Sequence, residues 1–219
     1  MRVSFTIILF ISLLLLENSV QAENISYKMI TERKIDYETS TISSNDVGFS
    51  IETEWKGFKF ITHTDFDHNT LRWESINEKK EINVIFKRIE NFLEATGVYK
   101  GKLYEKKFSI DKNPWFQDWN LGLKNFVFSD KPSISFWSIE PEELMVTKFK
   151  AIRGKITNIS INGENLETLH LKVTLEGFAG MFWHADYWFR KSDGRMVISR
   201  MAQGAGVPIT TTELYKENP

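Results

Sequence analysis

From about residue 26 onward, apolar and polar residues alternate in short runs, each cut off by a turn-forming residue or pair. A period of two places successive side chains on opposite faces of a strand, and a chain written this way has few options other than a sheet. The runs predict strands at roughly 26–36, 47–55, 58–66, 70–76, 81–89, 91–99 and 102–110. After a break come 134–138, 143–153, 155–161, 165–176, 180–190, 195–203 and 209–215. Several joints carry hairpin chemistry: Lys100-Gly101, Asn162-Gly163 and Ser192-Asp193-Gly194. Seventeen Phe and seven Trp suit a pleated surface. The expected fold class is mainly β: an antiparallel, strongly curved sheet of about 10–14 strands, half-barrel or barrel-like.

One segment departs from this period. Asn113-Pro114 precedes Trp115, Phe116, Trp119, Leu123 and Phe126, which recur at helical spacing. The pattern predicts a short amphipathic helix at 114–127, with Asn113 as N-cap and Pro114 as its first residue. Lying between two blocks of strands, it is expected to close the opening of a concave sheet. In the hairpin that follows, a three-residue loop at Ser192–Gly194 sets Phe189 opposite Val197, Trp188 opposite Ile198 and Asp186 opposite Arg200. This register matches apolar with apolar and acid with base. A two-residue Asp193-Gly194 loop is the alternative and loses the charge pair.

The N-terminus reads as an export signal. Arg2 precedes an apolar run from Phe5 to Leu16, and Val20 and Ala22 occupy the small-residue positions before a cut. Such a run is short of the ~20 residues that span a bilayer. The domains are therefore residues 1–22, a secretory signal peptide, and 23–219, one mainly-β domain. The expected location is the periplasm or the exterior. With 28 basic and 29 acidic residues there is no basic field, which argues against a nucleic-acid partner. The absence of cysteine removes disulfides, thiol nucleophiles and Cys-ligated zinc. Two Asn-x-Ser sequons, at Asn24 and Asn158, matter only in a eukaryotic secretory route.

Few residues carry chemistry. His63, Asp65, Asp67 and His68 form the only cluster with metal-ligand character, and a polar hairpin tip explains them as well. His184 and Asp186 share a strand face, but no serine motif completes a triad. Gln203–Pro208 is Gly-rich yet lacks the ending of a phosphate loop, and reads as a turn between the last two strands. Glu140, Glu142 and Glu143 read as a solvated turn rather than a glycosidase pair. No cofactor is expected. The aromatic excess remains, and Trp115, Trp119, Trp183 and Tyr187 are the candidates for the wall of an apolar pocket.

Tyr187-Trp188-Phe189-Arg190-Lys191-Ser192-Asp193-Gly194-Arg195, with Gly97–Lys102, Pro114-Trp115 and Asn158–Gly163, resembles domain-of-unknown-function family 3108, a group of exported bacterial proteins. The likeness runs from about Phe92 to Leu214. It implies a curled sheet similar to those of periplasmic lipoprotein carriers and brings no catalytic residues. One helix, where those carriers place several, is a departure from that pattern. The leading expectation is a soluble exported protein that holds an acyl chain, lipid or lipoprotein segment in an aromatic hollow. The alternatives are a structural or assembly protein of the envelope with a filled core, attached to an envelope protein partner, and a metal-assisted hydrolase using His63, Asp65 or His184.

Overall fold

A computed structural model describes residues 22–181, 183–202 and 208–218. All but the last residue of the leader expected at residues 1–22, and most of the Gly-rich turn, residues 203–207, lie outside these. Fourteen strands form one antiparallel sheet among the described residues. The first eight are β1 (Glu23–Thr31), β2 (Lys34–Asn45), β3 (Gly48–Trp55), β4 (Phe58–Thr64), β5 (Thr70–Asn77), β6 (Ile82–Ile89), β7 (Phe92–Tyr99) and β8 (Lys102–Ser109). The rest are β9 (Ser133–Ile139), β10 (Val146–Ile161), β11 (Glu164–Leu175), β12 (His184–Arg190), β13 (Met196–Ala202) and β14 (Ile209–Asn218).

Each strand pairs with its sequence neighbours, apart from two places. β1 pairs with β14, so the first and last strands join the two halves of the meander. β8 and β9 do not pair, and the sheet is open there. Contacts still bring its two edges together. The Tyr99 hydroxyl at the end of β7 donates to the carbonyl of Glu142 (2.9 Å), and Ile139 and Leu144 share a buried cluster with residues of β4 to β8. The sheet is thus curled into a barrel-like form with a seam.

Turn chemistry explains most of the joints. Lys56-Gly57, Lys100-Gly101 and Asn162-Gly163 each have positive φ at both residues, the two-residue hairpin geometry that suits twisted strands. Several predicted strands are bounded differently, the run 180–190 among them, because β12 begins only at His184. The run 26–36 divides at Glu32 (φ 52°), giving β1 and the longer β2. The runs 143–153 and 155–161 are one strand, β10, with a bulge between Arg153 and Ile156. Gly154 sits in that bulge, where an added Cβ would lie 2.5 Å from Nδ1 of His170.

The expected helix at 114–127 is corrected. Residues 114–116 are extended against β9, because Phe116 N–H donates to the Trp137 carbonyl (2.9 Å) and Trp137 N–H to that of Pro114 (2.8 Å). Asn113 instead donates to the Asp111 carboxylate, and Asp118 is the N-cap, accepting from Leu121 N–H (2.9 Å). One helical segment then follows, broken at Leu123 into α1 (Trp119–Gly122) and α2 (Lys124–Phe128). Gly122 is required by packing, since a Cβ there would meet the Phe116 ring at 2.6 Å. The segment lies across one end of the sheet. Asn125 donates to the Asp67 carbonyl in the β4–β5 turn (3.1 Å), while Lys124 and Phe128 abut Gly194 in the β12–β13 turn. Arg153 donates to the carbonyls of Phe126 (2.9 Å), Val127 (3.1 Å) and Ser129, a cation at a helix C-terminus.

The β12–β13 hairpin keeps Asp186 opposite Arg200 and Trp188 opposite Ile198, but Phe189 faces Met196 rather than Val197. Asp193 causes the slip. Its carboxylate takes the Arg190 guanidinium (2.6 and 2.9 Å) and the Arg195 amide (3.1 Å), closing a turn of residues 191–194 in which Arg190 rather than Lys191 faces Arg195, one residue longer than the predicted loop, and Val197 is left as a bulge. The predicted charge pair does not form. Asp186 turns to His170 (2.7 Å), and Arg200 lies over the Trp188 ring (5.5 Å).

Inside the curl are two apolar clusters. One joins β9 to β14, β1 and the helical segment, through Tyr27, Leu123, Phe126, Phe136, Leu171, Phe189 and Leu214. The other fills the β4–β8 half, with Phe58, Phe60, Trp73 and Phe86 in successive ring contact at 5.3–5.7 Å.

Candidate functional site

Three of the four candidate wall residues meet in the first cluster. Trp119, at the start of α1, packs edge-on against Phe149 of β10 (4.7 Å between centroids), and Trp183 also packs edge-on against Phe149 (5.7 Å). Tyr187 of β12 lies 5.8 Å from Trp119. The indoles are oriented by hydrogen bonds: Trp119 Nε1 donates to Ser138 Oγ (2.9 Å), and Trp183 Nε1 to the Ala202 carbonyl (2.8 Å). Trp119, Phe149 and Trp183 are only half-buried, whereas Phe136 and Phe189 beside them are sealed. Trp115 lies apart. It is 0% exposed in the second cluster, with Nε1 donating to Gln117 (3.0 Å).

The same interior holds acids that the alternation did not reveal. Glu38 of β2 is directly opposite Tyr27 of β1, so both share the inner face, and Tyr27 is itself opposite Leu214. β2 is written inside out: Ile35 and Tyr37 are 53% and 52% exposed, while Glu38, Ser40 and Ile42 point inward. The Tyr27 hydroxyl donates to the Met196 carbonyl (3.2 Å), and Met196 pairs with Phe189, whose ring stacks on Tyr187. Asp118, adjacent to Trp119, faces the same space.

Electrostatics reflect this enclosure. Burial, with the Asp118 charge added, pushes the Glu38 carboxyl up to about 7. Burial also raises Asp118, opposed by the amides it caps. Tyr27 and Tyr187 are held above the tyrosine range by burial; Asp118 adds to this at Tyr27 and Glu38 at Tyr187. Glu38 is nonetheless only half-buried by accessible surface. It has no hydrogen-bond or ion-pair partner among the described residues.

The four weighed metal-ligand candidates, His63, Asp65, Asp67 and His68, are not brought together as a set of ligands. His63 is on the outer face of β4, opposite Arg72 of β5. Asp65 accepts from the backbone and side-chain nitrogens of Asn69 (2.8 and 2.9 Å). His68 is buried 5.0 Å from the Phe49 ring, and burial with the Lys124 charge lowers its basicity. Among the described residues, no group of three or more His, Cys, Asp or Glu could hold an ion. A cleft of about 530 Å³ does open nearby, between the β4–β5 turn and the segment leading to α1, lined by Asp65, Asp67, Arg88, Lys112, Phe116 and Phe126. Arg88 there is spent on the carbonyls of Glu90 (3.3 Å), Asn113 (2.9 Å) and Asp111 (3.1 Å).

Glu38 and Asp118 were missed for identifiable reasons. The reading of 26–36 as one strand ended before Glu38, and Asp118 fell inside the predicted helix. The available signal was Asp118 itself, a favoured N-cap residue three positions before Leu121.

No family model and no curated protein matches the chain, so the resemblance to family 3108 is not confirmed. Among solved structures, the fold is similar to a β-barrel-like protein of domain of unknown function DUF1849 from Brucella abortus. That alignment has a TM-score of 0.61 at 10% identity, and covers 90% of this chain and 97% of that one. The hypothetical lipoprotein YmcC from Escherichia coli aligns at 12% identity over 92% of both chains with a TM-score of 0.41. At 10% identity the first likeness speaks to architecture alone, a barrel-like antiparallel sheet.

Proposed function

We propose that this is an exported binding protein of the bacterial envelope that holds an apolar chain, as an acyl group, lipid or lipoprotein segment, inside its curled sheet. One observation carries the reading: Trp119, Phe149 and Trp183 form a ring-to-ring contact yet stay half-buried beside a sealed core. Aromatic faces left open in a concavity are what apolar ligands occupy. Burying about 300 Å² of a ligand chain contributes about 7 kcal/mol, most of a micromolar affinity. The apolar run Phe5–Leu16 followed by Val20 and Ala22 supports export.

The second reading, a structural protein with a filled core, draws on the other half of the sheet. There Trp73, Phe86, Leu93 and Trp115 are all sealed. Native mass spectrometry of the full chain purified from an envelope fraction separates the two. A stoichiometric acyl or lipid adduct that disappears in Trp119→Ala or Trp183→Ala is the expected outcome. An adduct-free mass under conditions that preserve other lipid complexes favours the structural reading.

A further inference from the structure

The proposed hollow beside Trp119 is bordered by two carboxyls, Glu38 and Asp118, that pair with no cation among the described residues. Glu38 reaches it from β2, Asp118 from the residue before α1, Tyr27 from β1 and Tyr187 from β12. Tyr187 adds an unpaired oxygen to this lining. It is only 6% exposed, its ring is fixed against Trp119 and Phe189, and its hydroxyl has no hydrogen-bond partner among the described residues. Its oxygen is not sealed from solvent, so a ligand atom can reach it. The cation that acts on Tyr27, Arg195, has its charge balanced by Glu23, Glu217 (3.3 Å) and Asp193 (3.8 Å) through Nη2 and Nε, while its buried Nη1 has no partner among the described residues.

We infer that this hollow is a site for a protonated amine on an apolar body, with Glu38 as its counter-charge and Asp118 and the Tyr187 oxygen as acceptors. The inference rests on the proposed apolar hollow and adds to it the chemistry of the ligand's head. An ammonium offers three donors and no acceptor, which fits two carboxyls and a phenol oxygen. A fatty-acid carboxylate would face two acids, and the charge of Arg195 is already balanced by three carboxylates. A phosphoethanolamine head, with a phosphate beside its amine, is disfavoured for the same reason. The site is pH-dependent: Glu38, with a carboxyl that ionises at about 7 when the site is empty, attracts a cation only once deprotonated. The groups acting with it are Asp118, Tyr27, Tyr187 and, more remotely, Arg195 and Glu217. Both tyrosines stay neutral throughout that range.

Dodecylamine, dodecanol and dodecanoate share a chain length and differ in the head. Titrating each into the full chain below micelle formation, followed by tryptophan fluorescence, tests the assignment. Dodecylamine is expected to bind at least tenfold tighter than dodecanoate at pH 8, with the preference shrinking at pH 5. Glu38→Gln should abolish the preference and leave dodecanol affinity unchanged, which also reports that the variant is folded. Tyr187→Phe should weaken the amine severalfold and spare dodecanol. Equal binding of dodecanoate, or an amine preference that survives Glu38→Gln, overturns the amine assignment and leaves the apolar hollow standing. If none of the three binds, the hollow falls with it.

Discussion

Glu38 works against the fold at neutral pH. A carboxyl that holds its proton to about 7 in the native state, against an ordinary value of 4.5, binds more protons folded than unfolded between those limits. Stability therefore falls as pH rises through that window, by up to about 3 kcal/mol, less whatever water in the hollow screens. Glu38→Gln is expected to raise the urea midpoint at pH 8 and leave it unchanged at pH 4. An equal shift at both values would mean that Glu38 is well solvated in the folded state. A residue kept at such a cost fits a binding role better than a packing role. At this scale the sequence was legible where the inner face is apolar, as in Leu169, Leu171 and Val173 of β11. It was illegible at β2, where exposed Ile35 and Tyr37 and inward Glu38 invert the usual sense of alternation.

At the scale of elements, the stretch from β8 to β9 is held by polar contacts that no periodicity announces. Gln117 uses its side-chain amide like a peptide group, donating to the Ile139 carbonyl (2.8 Å) and accepting from Ile139 N–H (3.0 Å). Asp111 accepts from Lys148 (2.6 Å) and Trp137 Nε1 (2.9 Å), and Lys148 holds its carboxyl well below the usual range. Arg88 donates to three carbonyls around the same stretch, and hydrogen bonds from a charged group are worth about 1.5–3 kcal/mol each. Arg88→Ala is expected to cost about 2–3 kcal/mol in urea unfolding, with Arg88→Lys recovering only part because it lacks the fork. A cost within experimental error would show that the stretch is anchored by its apolar residues alone. The helix forecast failed here because aromatic spacing of three and four also arises when a strand-like piece, Pro114–Phe116, runs into a short helix.

For the whole molecule, β14 is the tie between the halves, paired with β1 on one side and β13 on the other. Tyr27 adds a cross-brace by reaching Met196. Deleting residues 209–218 leaves β1 and β13 as bare edges, so unfolding in urea is expected to split into two transitions seen separately by near-ultraviolet and far-ultraviolet circular dichroism. A single cooperative transition would show that the two apolar clusters hold together without β14. The meander and its curl were legible because hairpin glycines and alternation are local signals. The meeting of β1 and β14 was not, since nothing local reports which strands a curled sheet brings together.

β8, which bounds the seam on one side, carries Lys102, Lys106 and Lys107 and a Leu103 that is 86% exposed, a charged strand poorly suited to pairing. In a closed barrel, girth is set by strand number and stagger. Here the circumference is completed by a peptide strip resting on β9 through Trp115–Trp137 and Gln117, so no complete ring of ladder bonds fixes the diameter. On the proposed binding reading the molecule would work as a split collar: its girth could follow the cargo by releasing the few bonds that tie the strip to β9, with every strand-to-strand ladder left intact.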